Sequence, residues 1–143
     1  MSTLERAVEI AARAHAGQVD KAGAPYLLHP LRLMLSVRTP WEQMAAVLHD
    51  VVEDTRVTLD DLRAEGFAAE VITAVEALTK RPGESRLEAA GRAAQDPVAT
   101  TVKLADLADN MDLSRIPSPT ERDYQRLKEY EQVRALLLER AAL

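Results

Sequence analysis

The sequence predicts an all-α fold, a compact single-domain helical bundle over residues 1–143. Three observations point there. Hydrophobic residues make up 47% of the chain but aromatics only 3%, so alanine and leucine carry the apolar content, a balance that favours helices over a sandwich of strands. Nowhere is there sustained two-residue alternation or an Asn-Gly hairpin signal. Helix-start signals recur instead, and their spacing predicts roughly seven to nine helices. A chain of 143 residues fits one domain that buries about two-thirds of its unfolded surface.

The first helix is expected from Thr3 to His15, with Leu4, Ala7, Val8, Ala11 and Ala12 on one face and Gly17 as the stop. Residues 18–26 contain Gly23 and Pro25 and read as a loop. A short helix is expected after Pro30, using Leu31, Leu33, Met34 and Leu35. Thr39-Pro40-Trp41-Glu42 combines a cap, a first-turn proline and a capping-box acid. That helix is expected to run on to about Asp54. Thr58-Leu59-Asp60-Asp61 starts another, which Gly66 ends, and residues 68–78 fit the next with Val71, Ile72, Val75 and Leu78 inward. After the loop at 81–84, Ser85-Arg86-Leu87-Glu88 is a second capping box. Asp96-Pro97 opens the helix that carries Asp106 and Asn110, and Ser118-Pro119-Thr120-Glu121 opens the last.

Composition excludes several classes. With no cysteine there is no disulfide scaffold, thiolate zinc site or cysteine nucleophile. A net charge of −5 without a basic run speaks against a nucleic-acid polymer as partner. No apolar run reaches membrane-spanning length, and the first residues do not read as a secretory signal. A cytoplasmic location is the expectation.

The chemistry concentrates in Leu48-His49-Asp50-Val51-Val52-Glu53-Asp54-Thr55. Burying such groups without partners is costly, so they should be paired, solvated or bound to a cation. On a continuous helix His49 and Glu53 share a face, as do Asp50 and Asp54. Adjacent His49 and Asp50 diverge by about 100° and meet one ion only over the gap between their directions. Further ligands must come from elsewhere, and His29 and Asp106 are the candidates. Two imidazoles and two carboxylates suit Mn²⁺, Fe²⁺, Co²⁺ or Zn²⁺ better than Ca²⁺. Glu53 and Asp54, one turn on, fit a water-activating acid–base pair. Taken singly, each group has a blander reading: Glu53-Asp54 as a solvated helix end, Asp106 paired with Lys103, His29 satisfied in a turn. His15 reads as structural, bonding backbone near its helix end.

Four stretches carry a resemblance: His15-Ala16-Gly17-Gln18, Lys21 through Pro30, Leu48 through Thr55, and Val102 through Asn110. In this order, over nearly the whole chain, they resemble the HD-domain phosphohydrolases. The specific likeness is to the hydrolase domain of the Rel/SpoT alarmone enzymes and the small stand-alone metazoan SpoT homologues. The resemblance implies an HD-type helical bundle, a Mn²⁺ cofactor and removal of the 3′-pyrophosphate of (p)ppGpp to give GDP or GTP. It implies His29, His49, Asp50 and Asp106 as metal ligands and Glu53 and Asp54 as the catalytic pair. Lys21, Asn110, Arg126 and Tyr130 match nucleotide contacts. On spacing alone, Arg126 and Tyr130 read as a solvated cation packed on a ring.

One departure bears on the substrate. The alarmone hydrolases carry Arg-Lys where this chain has Asp20-Lys21, and an acid cannot stack on guanine as a guanidinium does. The same chemistry on another small phosphorylated nucleotide, such as NADPH or a 3′-phosphonucleotide, therefore stays open. So does a non-catalytic nucleotide-binding regulator or, last, a plain helical scaffold. A homodimer is open too, through Trp41 or the apolar positions Val133, Leu136, Leu137 and Leu138 of the final helix.

Overall fold

The computed structural model describes residues 1–141. Among them nine α-helices form: α1 (Leu4–Ala14), α2 (Leu28–Ser36), α3 (Pro40–Leu48), α4 (Val51–Asp54), α5 (Leu59–Ala64), α6 (Ala69–Leu78), α7 (Arg86–Ala93), α8 (Pro97–Asn110) and α9 (Glu121–Ala141). A 3₁₀ turn, Leu113–Arg115, links the last two. The described residues hold no strand, only an isolated bridge between Val19 and Pro25 within the 18–26 loop.

Local chemistry sets the boundaries. Thr39, Thr58 and Ser85 each cap through their hydroxyl while the acid at N3 returns a bond to the cap amide, satisfying donors that a helix start leaves unpaired. Thr120 and Asp123 exchange the same pair of bonds at the start of α9. Gly17 and Gly66 follow their helices with φ near +85°, where a side chain is strained.

Helix α3 is the hub. Ala45, Ala46, Val47 and Leu48 are fully buried, as expected of a helix apolar on every side, and α1, α2, α6 and α8 surround it. A second, smaller cluster joins Ala90 of α7, Leu107 of α8 and Val133 and Leu137 of α9. Helix α8 serves both, with Val102 facing the first and Leu107 the second. Asp106 lies between these two residues, so it sits where the clusters meet. Val133 and Leu137 are spent inside this chain, which removes them from the apolar face considered for a dimer; Trp41 and Leu138 remain exposed.

Two boundaries correct the sequence reading. Helix α2 begins at Leu28, before Pro30, placing His29 and Pro30 in the first turn, where proline's missing N–H costs nothing. The helix expected from Pro40 to Asp54 is broken at His49-Asp50, where α3 ends and α4 begins. The cause is local. The His49 ring bonds Ala46 O through Nδ1 at 2.7 Å, and the His49 amide reaches the same carbonyl, three residues back, at 3.4 Å. Asp50 then adopts φ −106°, ψ −3°, away from regular helix.

Candidate active site

The break brings together what a straight helix would splay. His49 Nε2 lies 3.0 Å from Asp50 Oδ2 and 3.5 Å from Asp106 Oδ1. His29 Nε2 lies 2.9 Å from the same Asp106 oxygen. His29, His49 and Asp106, from three different helical segments, present ligand atoms within 4.8 Å of one another, and all three are buried. Asp50 stands at their edge, where it also belongs with Glu53 and Asp54 to an acidic trio of the same spread. The Tyr26 hydroxyl donates to Asp50 Oδ2. Burial and the Asp50 charge both push the phenol's pKa up, so it stays a donor.

Whether this pocket suits a cation is decided at His49. Its Nδ1 is committed to a carbonyl, which only accepts, so Nδ1 carries a proton and Nε2 is the atom left to take a second proton or a cation. Nε2 is buried without a hydrogen-bond partner; the nearest groups are carboxylate oxygens, themselves acceptors. Burial favours the neutral ring, but Asp50 and Asp106 outweigh it and hold the His49 pKa well above the ordinary imidazole range. Carboxylates that would retain a proton there would equally retain a metal cation, with Nε2 as ligand. The donor set of nitrogen and oxygen fits a divalent transition metal.

The pocket is braced from behind. Lys103 Nζ lies 2.9 Å from Asp106 Oδ2, and Asn110 Nδ2 donates to Oδ1 at 3.1 Å. Burial raises the Asp106 pKa, yet Lys103 and the two histidines bring it well below the usual carboxylate range. Asp109, to which the sequence reading gave no role, holds His29 Nδ1 at 2.6 Å and is gripped by Arg32 through two bonds of 2.7 and 2.9 Å. A carboxylate behind a candidate metal histidine fixes its tautomer and aims its other nitrogen. The signal was available: Asp109 follows Asp106 by three residues on one helix face.

In front of the pocket opens a cavity of about 600 Å³. All ten residues singled out from the sequence line it: His29, His49, Asp50 and Asp106, the pair Glu53 and Asp54, and Lys21, Asn110, Arg126 and Tyr130. Glu53 is no free helix end; its Oε1 accepts the Lys80 N–H at 2.7 Å. Asp54 titrates above the usual carboxylate range, first through burial and then through the charges of Asp50 and Glu53. At the mouth, Lys21 and Arg126 face Asp123 Oδ1 at 3.6 and 3.9 Å. Arg86, rather than Arg126, packs over the Tyr130 ring, 5.0 Å from its centroid. Asp20 points into its own loop, accepting the Ala22 and Ala24 amides. His15 also differs from expectation: its ring bonds the Gln18 side chain, not backbone.

A family model described as HD domain matches residues 7–141. The chain belongs to the HD domain family. Among its relatives, a probable GTP pyrophosphokinase of Mycobacterium leprae is 33% identical over 159 residues, spanning all of this chain and 20% of that protein. A guanosine-3′,5′-bis(diphosphate) 3′-pyrophosphohydrolase of Vibrio cholerae is 34% identical over 125 residues, 78% of this chain and 18% of its own length. The chain thus spans a fifth or less of these curated relatives. A solved structure described as a metazoan ortholog of SpoT that hydrolyses ppGpp superposes with a TM-score of 0.79 at 24% identity, covering 96% of this chain and 86% of that one. This HD domain shares that protein's fold. No helix among the described residues is long and apolar enough to cross a membrane.

Proposed function

We propose that this HD domain is a metal-dependent phosphohydrolase that removes the 3′-pyrophosphate of (p)ppGpp. The observation that carries the reading is the buried His29–His49–Asp106 group with Asp50 at its edge, opening on a cavity lined by Glu53 and Asp54. The printed activity of the Vibrio cholerae relative supplies the reaction. His29, His49, Asp50 and Asp106 would hold the ion, with Mn²⁺ the expected metal. A bound divalent ion supplies a water of lowered pKa and polarises the phosphorus centre.

This chain's own residues do the rest. Glu53, oriented by the Lys80 N–H, takes the proton of the attacking water. The water oxygen bonds to the phosphorus carried by the ribose 3′-oxygen, and the bond between that phosphorus and the 3′-oxygen breaks. Asp54, whose pKa burial and the neighbouring acids raise, gives a proton to the departing 3′-oxygen. Two neighbouring carboxyls in different surroundings, one bonded to a backbone amide and the other part-buried, suit such a division of labour. Pyrophosphate and GDP or GTP leave. Lys21 and Arg126 offer positive charge to the substrate's phosphates at the mouth, and Asn110 and Tyr130 complete the walls.

A second reading keeps the chemistry and changes the nucleotide. It rests on Asp20, whose carboxylate is consumed by its own loop and offers nothing to a guanine. A panel of (p)ppGpp, NADPH and 3′-phosphonucleotides, each with Mn²⁺, separates the two by the phosphate or pyrophosphate released. Pyrophosphate from (p)ppGpp alone supports the first reading, and turnover only of another member supports the second. Tight nucleotide binding without turnover of any would overturn both in favour of a regulator.

A further inference from the structure

We infer that His15, acting through Gln18, is a positioning residue for the Asp54 carboxyl. The inference rests on the reading of Asp54 as the acid of a phosphohydrolase. His15 is 2% exposed at the end of α1, where a polar ring is costly to bury without a task. Its Nδ1 lies 2.9 Å from Gln18 Oε1. The other end of that amide, Gln18 Nε2, reaches the backbone oxygen of Asp54 at 3.4 Å.

The direction of this chain of bonds follows from its last member. A carbonyl only accepts, so the amide must present its NH₂ to Asp54 and its oxygen to His15. His15 must then carry its proton on Nδ1. One tautomer and one amide orientation complete these bonds, with His15 Nε2 left buried without a partner, and the Gln18 side chain is tied at both ends.

The strut reaches a place that cannot hold itself. Helix α4 has four residues, well below the length at which a helix stands alone, and Asp54 is its last. Beyond it, Thr55 leaves the helix in extended geometry. The Asp54 carbonyl is one of the acceptors that a helix end leaves unpaired, and Gln18 supplies its donor from another part of the chain. The Gln18 carbonyl also accepts the Tyr26 N–H at 2.8 Å, and the His15 ring packs on the Tyr26 ring at 4.9 Å between centroids. The strut is therefore anchored in the loop whose tyrosine holds Asp50. Release of the far end of α4 turns the Asp54 carboxyl without disturbing His29, His49 or Asp106.

His15→Phe keeps the ring packing on Tyr26 and removes the nitrogen donor. Its expected effect is a fall in kcat of about ten- to a hundredfold, the scale on which small misplacements act, with KM and Mn²⁺ affinity unchanged. His15→Asn, which returns an N–H near the Nδ1 position, restores most of that loss, and Gln18→Leu combined with His15→Phe is no worse than either alone. A kcat equal to wild type in His15→Phe overturns the inference, and so do equal losses in the Asn and Phe variants. Amide hydrogen exchange reads the strut without substrate: exchange at Asp54 and Thr55 is expected to quicken in His15→Phe and recover in His15→Asn. Unchanged exchange sinks the strut whatever the wild-type substrate proves to be, whereas a wild type inactive on every nucleotide sinks the reading of function and leaves the exchange result to judge the strut.

Discussion

At the inner wall of the cavity, His29, His49 and Asp106 sit on or at the ends of packed helices, each less than a tenth exposed, in bonds of 2.6–2.9 Å. At the mouth, Lys21 on a loop and Arg126 on α9 share one acid over 3.6 and 3.9 Å, and Lys21 is half exposed. The inner groups are over-determined: each is fixed by a second bond that leaves its remaining atom aimed inward. The outer groups are held by single long contacts that a substrate phosphate can replace. Reaction chemistry needs fixed atoms, whereas recognition of a flexible polyanion tolerates movement, and the contrast in bonding suits the proposed division of roles.

The strongest test of the contrast removes a proposed inner ligand. Asp50→Ala is expected to lower turnover about a thousandfold or more, with loss of bound metal by elemental analysis; a variant that keeps metal and activity breaks the comparison at its centre. Next is the brace. Asp109→Asn should weaken metal affinity about 10- to 100-fold, as losses behind metal histidines do, read by Mn²⁺ titration calorimetry. At the mouth, Lys21→Ala and Arg126→Ala are each expected to raise KM roughly tenfold with kcat nearly unchanged, an effect that shrinks as salt rises. If kcat falls instead, the outer residues share in the chemistry and the division fails.

The mouth is not uniformly loose, and pH sharpens this. The loop between Lys80 and Arg86 is pinned by Arg92, which bonds Glu84 twice, at 2.6 and 2.8 Å, and the Thr79 carbonyl at 2.8 Å. The Arg92 guanidinium and the Arg81 N–H pull the Glu84 pKa from 4.5 to about 2. A carboxyl lowered on folding contributes stability above its unfolded value and loses it as pH falls through the folded one. Glu84→Gln is therefore expected to melt below wild type at pH 6, with the two curves converging between about pH 4.5 and 2. Smallest of all, Trp41→Ala on the exposed face should change stability by no more than about 0.5 kcal/mol.

Much of this was legible in the chain. Capping boxes at Thr39 and Ser85 and the start signal at Thr58 marked helix starts to the residue, because a cap is a local event read from four positions. The candidate ligands were legible because imidazoles and acids inside apolar runs need a reason to be there. The break at His49-Asp50 was not, since it depends on a ring turning back to its own helix, and period and propensity carry no trace of that. At Asp109 the three-residue spacing from Asp106 was the available signal, but the grip of Arg32 from another helix is visible only in the fold. Asp20 was read as a lost contact, and only the fold shows its carboxylate closing a turn.

Because the imidazole of His49 both ends its helix by bonding the Ala46 carbonyl and offers its far nitrogen to the pocket, bend and proposed ligand cannot be separated by mutation. A cysteine or carboxylate put there as a replacement donor would lack the inward grip on the carbonyl, the backbone would coil onward, and Asp50 would swing off axis. Re-engineering this centre for a different ion would have to start at some other vertex.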